Sequence, residues 1–247
     1  MLIFYNEYNG LKIEQGSVSG TMNQYSIKDL KKFDILSDLS NDQLQYFKSS
    51  VYWRTYKKGQ FLFIEDDPRE RIYFLLKGFV KLTRTNQSGK MTYCDYVKSF
   101  TMFPCGGLFT DSTYHYSAEA VTDLELFYLP TKIFEEQIKK NRSQLIKVVN
   151  SLSGILKTHE NRVQQIANAQ QRVLQALTYL MTDLGVSKGH EVAIQCPITT
   201  TELAYLSGTS RETVSQVLKH LKNDGILSYK NKIWTIHKPL FFEEMAS

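Results

Sequence analysis

Hydrophobic and polar positions follow two different patterns along the chain. Between Val51 and Leu129, short runs rich in Val, Ile, Phe, Tyr and Thr alternate with turn-forming residues. Short strands at this spacing are typical of an all-β sandwich or barrel. The clearest predicted strands are Phe61–Ile64, Ile72–Lys77, Phe79–Thr85, Met91–Val97 and Leu124–Leu129. The turns between them carry Asp66-Asp67-Pro68, Lys77-Gly78 and Ser88-Gly89.

Helical patterns flank this region. Two short helices are predicted between Ser26 and Lys48, where Ser40 and Gln43 have capping-box spacing. Pro130 ends the last strand and suits the first turn of a following helix.

A longer helix is predicted from about Ser143. Its apolar positions recur every three or four residues, a near-heptad seam. The seam consists of Leu145, Val148, Leu152, Ile155, His159, Val163 and Ile166. A narrow seam favours two such helices pairing in a dimer, and the alternative is an amphipathic helix lying on the β region. His159 on this seam is expected to be a packed residue rather than a ligand.

The last third of the chain begins with another predicted helix and contains a helix-turn-helix pattern. Asn168 is its expected N-cap and Gly185 its expected end. Further on, Thr199 and Glu202 form a capping box that opens a short helix, and Gly208 ends it. Ser210 then caps a second helix. The apolar positions of that second helix are Val214, Val217, Leu218 and Leu221. Two helices joined by a short glycine-containing turn are typical of DNA-binding proteins.

The opposite face of the second helix is polar. Such a helix fits the major groove, where Arg can pair with guanine, Gln with adenine and Glu with cytosine. Lys side chains suit phosphates, which carry no sequence information. Two strands, Ile226–Tyr229 and Ile233–Ile236, follow and flank Lys230-Asn231-Lys232, which predicts a wing with a basic tip. The candidate DNA contacts are Thr200, Ser210, Arg211, Glu212, Ser215, Gln216, Lys219 and Lys230.

Composition narrows these possibilities only slightly. The 247 residues carry a net charge of +5, which permits an anionic partner without requiring one. Three scattered cysteines cannot form a complete disulfide framework, so we expect a protein of the reducing cytoplasm. The cysteines also lack the spacing of a zinc site, so we expect no bound metal. No apolar run is long enough to cross a membrane. Residues 1–25 are expected to form an N-terminal arm, or translation begins at Met22.

The sequence offers less support for other function classes than for DNA binding. The five histidines show no metal spacing, and neither a glycine-rich phosphate loop nor a nucleophile motif is present, so we do not expect an enzyme. The alternative is a ligand-binding β module whose C-terminal helices bind another protein.

Two separate motifs resemble the CRP/FNR family of bacterial transcription regulators. Gly208-Thr-Ser-Arg-Glu-Thr-Val-Ser215 is similar to the family's recognition-helix entry, and Lys58-Gly59-Gln60, Ile72–Gly78 and Val80-Lys81-Leu82 are similar to its cyclic-nucleotide-binding β-roll. The resemblance implies an α+β fold: a β-roll sensor domain over 26–142, a long dimerisation helix over 143–167 and a winged helix-turn-helix over 168–247. It also implies a homodimer on a palindromic DNA site, controlled by a signal at the β-roll. Contact with RNA polymerase is the implied route to activation, although the residues themselves do not separate activation from repression.

The effector site departs from the family pattern. The cyclic-AMP branch has a Gly-Glu-Leu motif and then an Arg-Ser pair. Here the corresponding stretches are Pro104-Cys105-Gly106-Gly107-Leu108-Phe109 and Tyr116-Ser117-Ala118, which contain neither the glutamate nor the arginine. Without the arginine, the phosphate of cyclic AMP would lack its cation. The cysteine cluster that holds an iron–sulfur cluster in the oxygen-sensing branch is missing as well. We therefore expect neither cofactor. The residues assigned to an unidentified effector are Cys105, Gly106, Tyr116 and Ser117.

Two further expectations concern this region. Cys94 and Cys105 are either redox-responsive thiols or buried apolar residues, and the second reading is favoured. Phe103-Pro104 and Leu108-Phe109 resemble the arginine-deiminase-pathway regulators of Gram-positive bacteria, a subgroup of the family.

Overall fold

A computed structural model describes residues 7–8, 11–12, 26–85, 92–164 and 168–244. The predicted turn Ser88-Gly89, the strand start at Met91 and the seam position Ile166 lie outside these residues, as does most of the predicted arm. The chain forms two compact units. The first contains the described residues up to Arg84 and those from Tyr96 to Ile155, and the second contains Thr85–Asp95 and the residues from Leu156 onward.

The described helices and strands follow one another in a simple order. The strands are β1 (Glu7–Tyr8), β2 (Leu11–Lys12), β3 (Tyr52–Tyr56), β4 (Phe61–Phe63), β5 (Arg71–Lys77), β6 (Val80–Thr85), β7 (Thr92–Val97), β8 (Thr101–Phe103), β9 (Ser117–Ala120), β10 (Leu124–Pro130), β11 (Gly185–Lys188), β12 (Glu191–Ile194), β13 (Leu227–Lys230) and β14 (Ile233–Ile236). The α-helices are α1 (Asn41–Lys48), α2 (Thr131–Lys140), α3 (Arg142–Gln164), α4 (Ala169–Leu184), α5 (Thr200–Ser207), α6 (Arg211–Asn223) and α7 (Pro239–Glu244).

Two four-stranded sheets form the β region, in the orders β3-β10-β5-β8 and β4-β9-β6-β7. One aromatic-rich core lies between them, and it takes Tyr73 and Phe103 from the first sheet and Phe63 and Ala118 from the second. Each sheet therefore buries one face against the other, which is the β-roll arrangement that the sequence predicted.

The central strand β5 explains why this part of the sequence reads as a continuous apolar run. Side chains alternate between the two faces of a strand. Tyr73 and Leu75 point into the core between the sheets, whereas Ile72, Phe74 and Leu76 belong to a second core on the other face. Because both faces of β5 are covered, Ile72 through Leu76 are all buried.

Helical segments cover that second face. The segment after Ser26 differs from the prediction of two short helices, since it forms two 3-10 turns, Ile27–Lys32 and Asp34–Leu36, before α1. The Ser40–Gln43 capping box at the start of α1 is confirmed. Pro130 occupies the N-cap of α2, one residue before the predicted first turn.

The five strands predicted in the β region are confirmed to within one residue at the ends that the structure describes. Three further strands were missed, namely β3, β8 and β9. Strands β8 and β9 are only three and four residues long, too short to show an alternating pattern. Strand β3 pairs with β10 along its whole length, from Tyr56 with Leu124 to Tyr52 with Tyr128, and no local pattern reveals so distant a partner.

The first part of α3 packs differently from the predicted seam. Val148 is buried in the second core and Leu152 packs against it, so these two positions face the β-roll of the same chain. Among the described side chains of α3, the exposed large apolar residues are Leu145, Ile146, Val149, Ile155 and Leu156. Three of these, Ile146, Val149 and Leu156, were not part of the predicted seam.

The second unit is built around α4, which packs against α5, α6 and α7. Asn168 caps α4 as predicted, because its side chain accepts a hydrogen bond from the backbone N–H of Gln171. The helix ends at Gly185, also as predicted. A four-stranded sheet in the order β11-β12-β14-β13 completes the unit. Only the β13–β14 hairpin of that sheet was predicted, and β11, β12 and α7 were missed.

The model contains no helix among its described residues that is long and apolar enough to span a bilayer.

Candidate nucleic-acid interface

The predicted helix-turn-helix is formed by α5, a turn at Gly208 and α6. Glu202 and Thr199 cap the start of α5 reciprocally, with Thr199 N–H donating to the Glu202 carboxylate over 2.8 Å. Gly208 has φ +56°, in the left-handed region, so it ends α5 and reverses the chain. Ser210 then accepts a hydrogen bond from Thr213 N–H over 3.2 Å and starts α6. All three local predictions are confirmed.

The two faces of α6 separate as predicted. Its apolar residues Val214, Val217, Leu218 and Leu221 are all buried. The polar candidates on its other face are all exposed: Ser210, Arg211, Glu212, Ser215, Gln216 and Lys219. Thr200, at the first position of α5, is half-buried.

Charge at the start of α6 is set by local hydrogen bonds. The carboxylate of Glu212 accepts from its own backbone N–H and from the Ser210 side chain, and these bonds lower the pKa of Glu212. Glu212 therefore stays ionised at neutral pH and can accept a hydrogen bond from a base. In the last turn of α6, the ammonium of Lys222 lies 5.8 Å from the centre of the Tyr229 ring.

The wing is a tight hairpin whose strands pair from Leu227 with Ile236 to Lys230 with Ile233. Asn231 and Lys232 have φ +54° and +64°, the pattern of a two-residue type I′ turn. Two side chains near the turn tie the wing to the segment before α5, because Tyr229 Oη and Trp234 Nε1 both donate to the carbonyl of Ile198. Lys230 is exposed near the tip.

A chain of hydrogen-bonded polar side chains, which sequence reasoning missed, crosses the wing sheet. His237 Nδ1 lies 2.7 Å from Glu191 Oε1, and His237 Nε2 lies 2.9 Å from Ser228 Oγ. Along the chain, Glu191 lies 46 positions and Ser228 lies 9 positions from His237. The bonds tie β12 and β13 to the chain after β14.

Arg172 was also missed. It lies in the first turn of α4 and donates to the backbone carbonyls of Ser207 and Gly208, at 3.1 and 3.3 Å. These carbonyls belong to the helix-turn-helix turn, 35 residues further along the chain.

In the first unit, the four effector candidates lie in one region. The polar side-chain groups of Cys105 and Ser117 already have hydrogen-bond partners within the protein. Cys105 Sγ donates to the carbonyl of Met102, and burial raises the pKa of the Cys105 thiol to about 11. Ser117 Oγ accepts from Glu65 N–H over 3.0 Å. Tyr116 packs with its ring centre 6.2 Å from that of Phe63. Gly106 lies beside His115 and Tyr116.

The loop that carries these residues is held by a buried ion pair. Arg69 pairs with Glu135 of α2, and the Arg69 side chain is 2% exposed. Glu135 also accepts from Phe109 N–H over 2.9 Å, and Arg69 Nε donates to the carbonyl of Asp111 over 3.0 Å. The pair thus holds the middle of the loop between β8 and β9, at Phe109 and Asp111, although neither Arg69 nor Glu135 belongs to that loop. Sequence reasoning missed it because the partners lie 66 positions apart.

The three cysteines differ in burial, and Cys105 is half-buried. Cys94 and Cys196 are buried. Within the described part of the chain, no three His, Cys, Asp or Glu side chains are grouped closely enough to hold a metal ion.

Two family models match the chain. A cyclic nucleotide-binding domain matches residues 53–141, and a Crp-like helix-turn-helix domain matches residues 171–241. The HTH-type transcriptional regulator ArcR of Staphylococcus epidermidis is 30% identical over 196 residues, which cover 78% of this chain and 86% of that protein. The global nitrogen regulator of a Nostoc species is 29% identical and covers 75% of this chain and 85% of its own length.

A solved structure extends the comparison to the fold. FixK2 from Bradyrhizobium japonicum superposes with a TM-score of 0.68 at 19% identity, over 80% of this chain and 98% of that one. The relatives are transcription regulators rather than enzymes. With a cyclic-nucleotide-binding β-roll, a Crp-like helix-turn-helix and these relatives, the chain belongs to the CRP/FNR family of transcription regulators.

Proposed function

We propose that this regulator acts as a homodimer that binds a palindromic DNA site through α6. The observation that carries the proposal is the polar, exposed start of α6, presented by the Ser210 cap just after the left-handed Gly208 turn. A helix held in this way can enter the major groove with its N-terminal residues against the base edges.

Each exposed residue has a distinct role in this proposal. Arg211, Glu212 and Gln216 read base edges, since their side chains match the donor and acceptor patterns of the major groove. Ser210, Ser215 and Thr200 hydrogen-bond to bases or the nearby backbone. Lys219 and Lys230 contact phosphates, which raises affinity for every sequence.

The exposed side of α3 supports the homodimer. Ile146, Val149 and Leu156 are 49%, 53% and 58% exposed, which is unusual for large apolar residues spaced by three and seven positions on one helix. A second copy of α3 would cover this stripe by coiled-coil-like packing. Two recognition helices related by the dimer axis would then require a site with matching symmetry.

The proposed signal acts at the β-roll and differs from cyclic AMP bound in the usual way. Tyr116 stands where the phosphate-binding arginine is expected, and the stretch from Pro104 to Phe109 offers no acidic residue in place of the ribose-binding glutamate. The half-buried Cys105 thiol, whose pKa is raised by its partial burial, is a poor redox sensor, because the thiolate is the reactive form. An effector without a strongly anionic group therefore suits this region better than a cyclic nucleotide.

Selection from a random-core DNA library by the purified full-length protein tests the proposal, at physiological salt and with or without reductant. The expected result is a palindromic motif that is the same in both conditions. Salt-dependent affinity without any enriched motif would keep DNA binding and point to a missing effector. Absence of salt-dependent DNA affinity would reject the proposal in favour of a module that acts through protein–protein contacts.

Contact with RNA polymerase is part of the same proposal. In vitro transcription from a promoter carrying the selected site, with purified bacterial RNA polymerase, separates activation from repression. Stimulated transcription is expected, and a reduction would show that the bound dimer blocks the promoter.

A further inference from the structure

The Arg172 side chain links the first turn of α4 to the turn that precedes α6. Its Nε donates to the carbonyl of Ser207 and its Nη2 to the carbonyl of Gly208, both in the connection between α5 and α6. We propose that Arg172 is a positioning residue, which sets the direction in which α6 leaves the helix-turn-helix turn. This inference rests on the proposed role of α6 as the recognition helix.

The chemistry of the contact favours a fixed geometry. The last carbonyls of a helix have no partner within the helix, and the C-terminal end carries partial negative charge. The Arg172 guanidinium supplies positive charge and two N–H donors whose directions are fixed by its planar fork. Binding two successive carbonyls with one rigid group restricts the rotation of the peptide plane between them. A lysine ammonium would satisfy the charge without that restriction.

The contact lies close to the start of α6, so it can influence the direction of that helix. Only Thr209 separates the clamped Gly208 from Ser210, the N-cap of α6. Gly208 is in the left-handed region, where a glycine backbone has more freedom than any other residue. A Cβ atom added at Gly208 would have no atom within 4 Å, so no neighbouring side chain restrains the turn by packing against it at that point. Arg172 supplies the restraint that packing does not.

The backbone of Arg172 lies in a firmly packed part of α4. It follows the Asn168 cap by one helical turn, and the next residue, Val173, is completely buried. Arg172 therefore connects the beginning of α4, where the chain enters the helical part of this unit, with the turn that aims α6. A change in the first turn of α4 would reach the recognition helix through this side chain.

Three full-length variants test the inference: Arg172→Met, Arg172→Lys and the control Arg142→Met. The control removes the same charge from an exposed arginine at the start of α3. Two duplexes of equal length serve as probes, namely the site selected by the wild-type protein and an unrelated sequence. We expect Arg172→Met to weaken binding to the selected site about tenfold and binding to the unrelated duplex less than twofold, and Arg172→Lys to fall between it and wild type.

Amide hydrogen exchange without DNA separates positioning from general stability. The N–H groups of Gly208 and Thr209 donate to carbonyls of α5. In Arg172→Met these two amides should exchange faster, while the amides of Val217 and Leu218 in the buried part of α6 keep their wild-type rates. A uniform acceleration across α6 would mean that Arg172 only stabilises the unit and would overturn the inference.

The DNA measurements can overturn it independently. A positioning role is contradicted if Arg172→Met binds the selected site with wild-type affinity, or if it loses affinity equally for both duplexes. It is also contradicted if the control Arg142→Met loses as much affinity for the selected site as Arg172→Met does. If wild-type protein selects no site at all, the proposed function itself has failed, which is a distinguishable result.

Discussion

Arg211 and Lys230 are both exposed cations on the proposed DNA surface, but their surroundings differ. Arg211 is the first residue of α6, held at a capped helix start, whereas Lys230 ends a strand beside the two-residue turn of the wing. A fixed start suits contacts that depend on geometry, and a long side chain at a hairpin tip suits a phosphate.

Arg211→Ala should cost about 1–3 kcal/mol of affinity for the selected site and relax the preference at one base position. Lys230→Ala should weaken all sequences by a similar factor and reduce the salt dependence of binding. Fluorescence anisotropy with matched and single-substituted duplexes, over a range of salt concentrations, measures both effects. Equal losses on every duplex for both variants would refute the division into base and phosphate contacts.

The second residue-scale prediction concerns Cys105. Its pKa of about 11, raised by burial from 9.0, leaves very little thiolate at neutral pH. Alkylation of Cys105 by iodoacetamide at pH 8 should be about 100-fold slower than in the urea-unfolded chain, and its rate should keep rising with pH towards 11. Peptide mapping by mass spectrometry follows each cysteine separately. Rapid labelling of folded protein at pH 7 would revive the redox-sensor interpretation.

At the scale of elements, short connections determine how helices and strands are joined. Gly208 and Gly78 both have positive φ, +56° and +99°. A Cβ at Gly208 would meet no atom within 4 Å, whereas a Cβ at Gly78 would lie 2.6 Å from the carbonyl oxygen of Asp123. The turn at Gly208 requires only a residue that tolerates positive φ. The turn at Gly78 requires in addition a residue without a side chain, because no space is left for a Cβ atom.

Gly208→Ala should therefore destabilise its unit by about 1 kcal/mol, and Gly78→Ala should destabilise its own by on the order of 3 kcal/mol. Each unit contains one tryptophan, Trp53 in the first and Trp234 in the second. Urea unfolding followed by fluorescence in single-tryptophan backgrounds reports each unit separately. Equal losses of unfolding free energy in the two variants would contradict the steric argument.

The hydrogen-bonded chain of Glu191, His237 and Ser228 gives another prediction at this scale. His237→Ala removes two side-chain hydrogen bonds that connect the strands of the wing sheet, and it should cost about 1 kcal/mol in the unit that contains Trp234. His190→Ala, at an exposed turn of the same sheet, is the control and should have little effect. A wild-type unfolding free energy for His237→Ala would show that these exposed bonds contribute no net stability.

At the scale of the whole molecule, the exposed apolar stripe on α3 predicts assembly. Val149→Glu and Leu156→Glu place charges on that stripe and should convert the dimer to monomer. Ser151→Glu, exposed on the same helix but rotated by about 200° from Val149, should leave the dimer intact. Sedimentation velocity gives the oligomeric state directly.

Loss of dimer should also lower affinity for the palindromic site far more than for a half-site, because both recognition helices must bind together. A monomeric wild-type protein that still binds the palindrome tightly would contradict the proposed assembly.

The sequence alone determined the features that depend on neighbouring residues. The capping boxes at Ser40 and Thr199, the left-handed turn at Gly208 and the buried face of α6 follow from chemistry within a few positions. Motifs in the right order identified the family without any coordinates.

Only the tertiary structure decided the features that depend on distant partners. Val148 matched a heptad seam yet packs into the core of its own β-roll, because periodicity defines an apolar face and not what covers it. Strand β3, the Arg69–Glu135 pair and the Arg172 clamp all join segments at least 35 positions apart. Such contacts depend on how the folded chain brings elements together, and local sequence patterns carry no record of that.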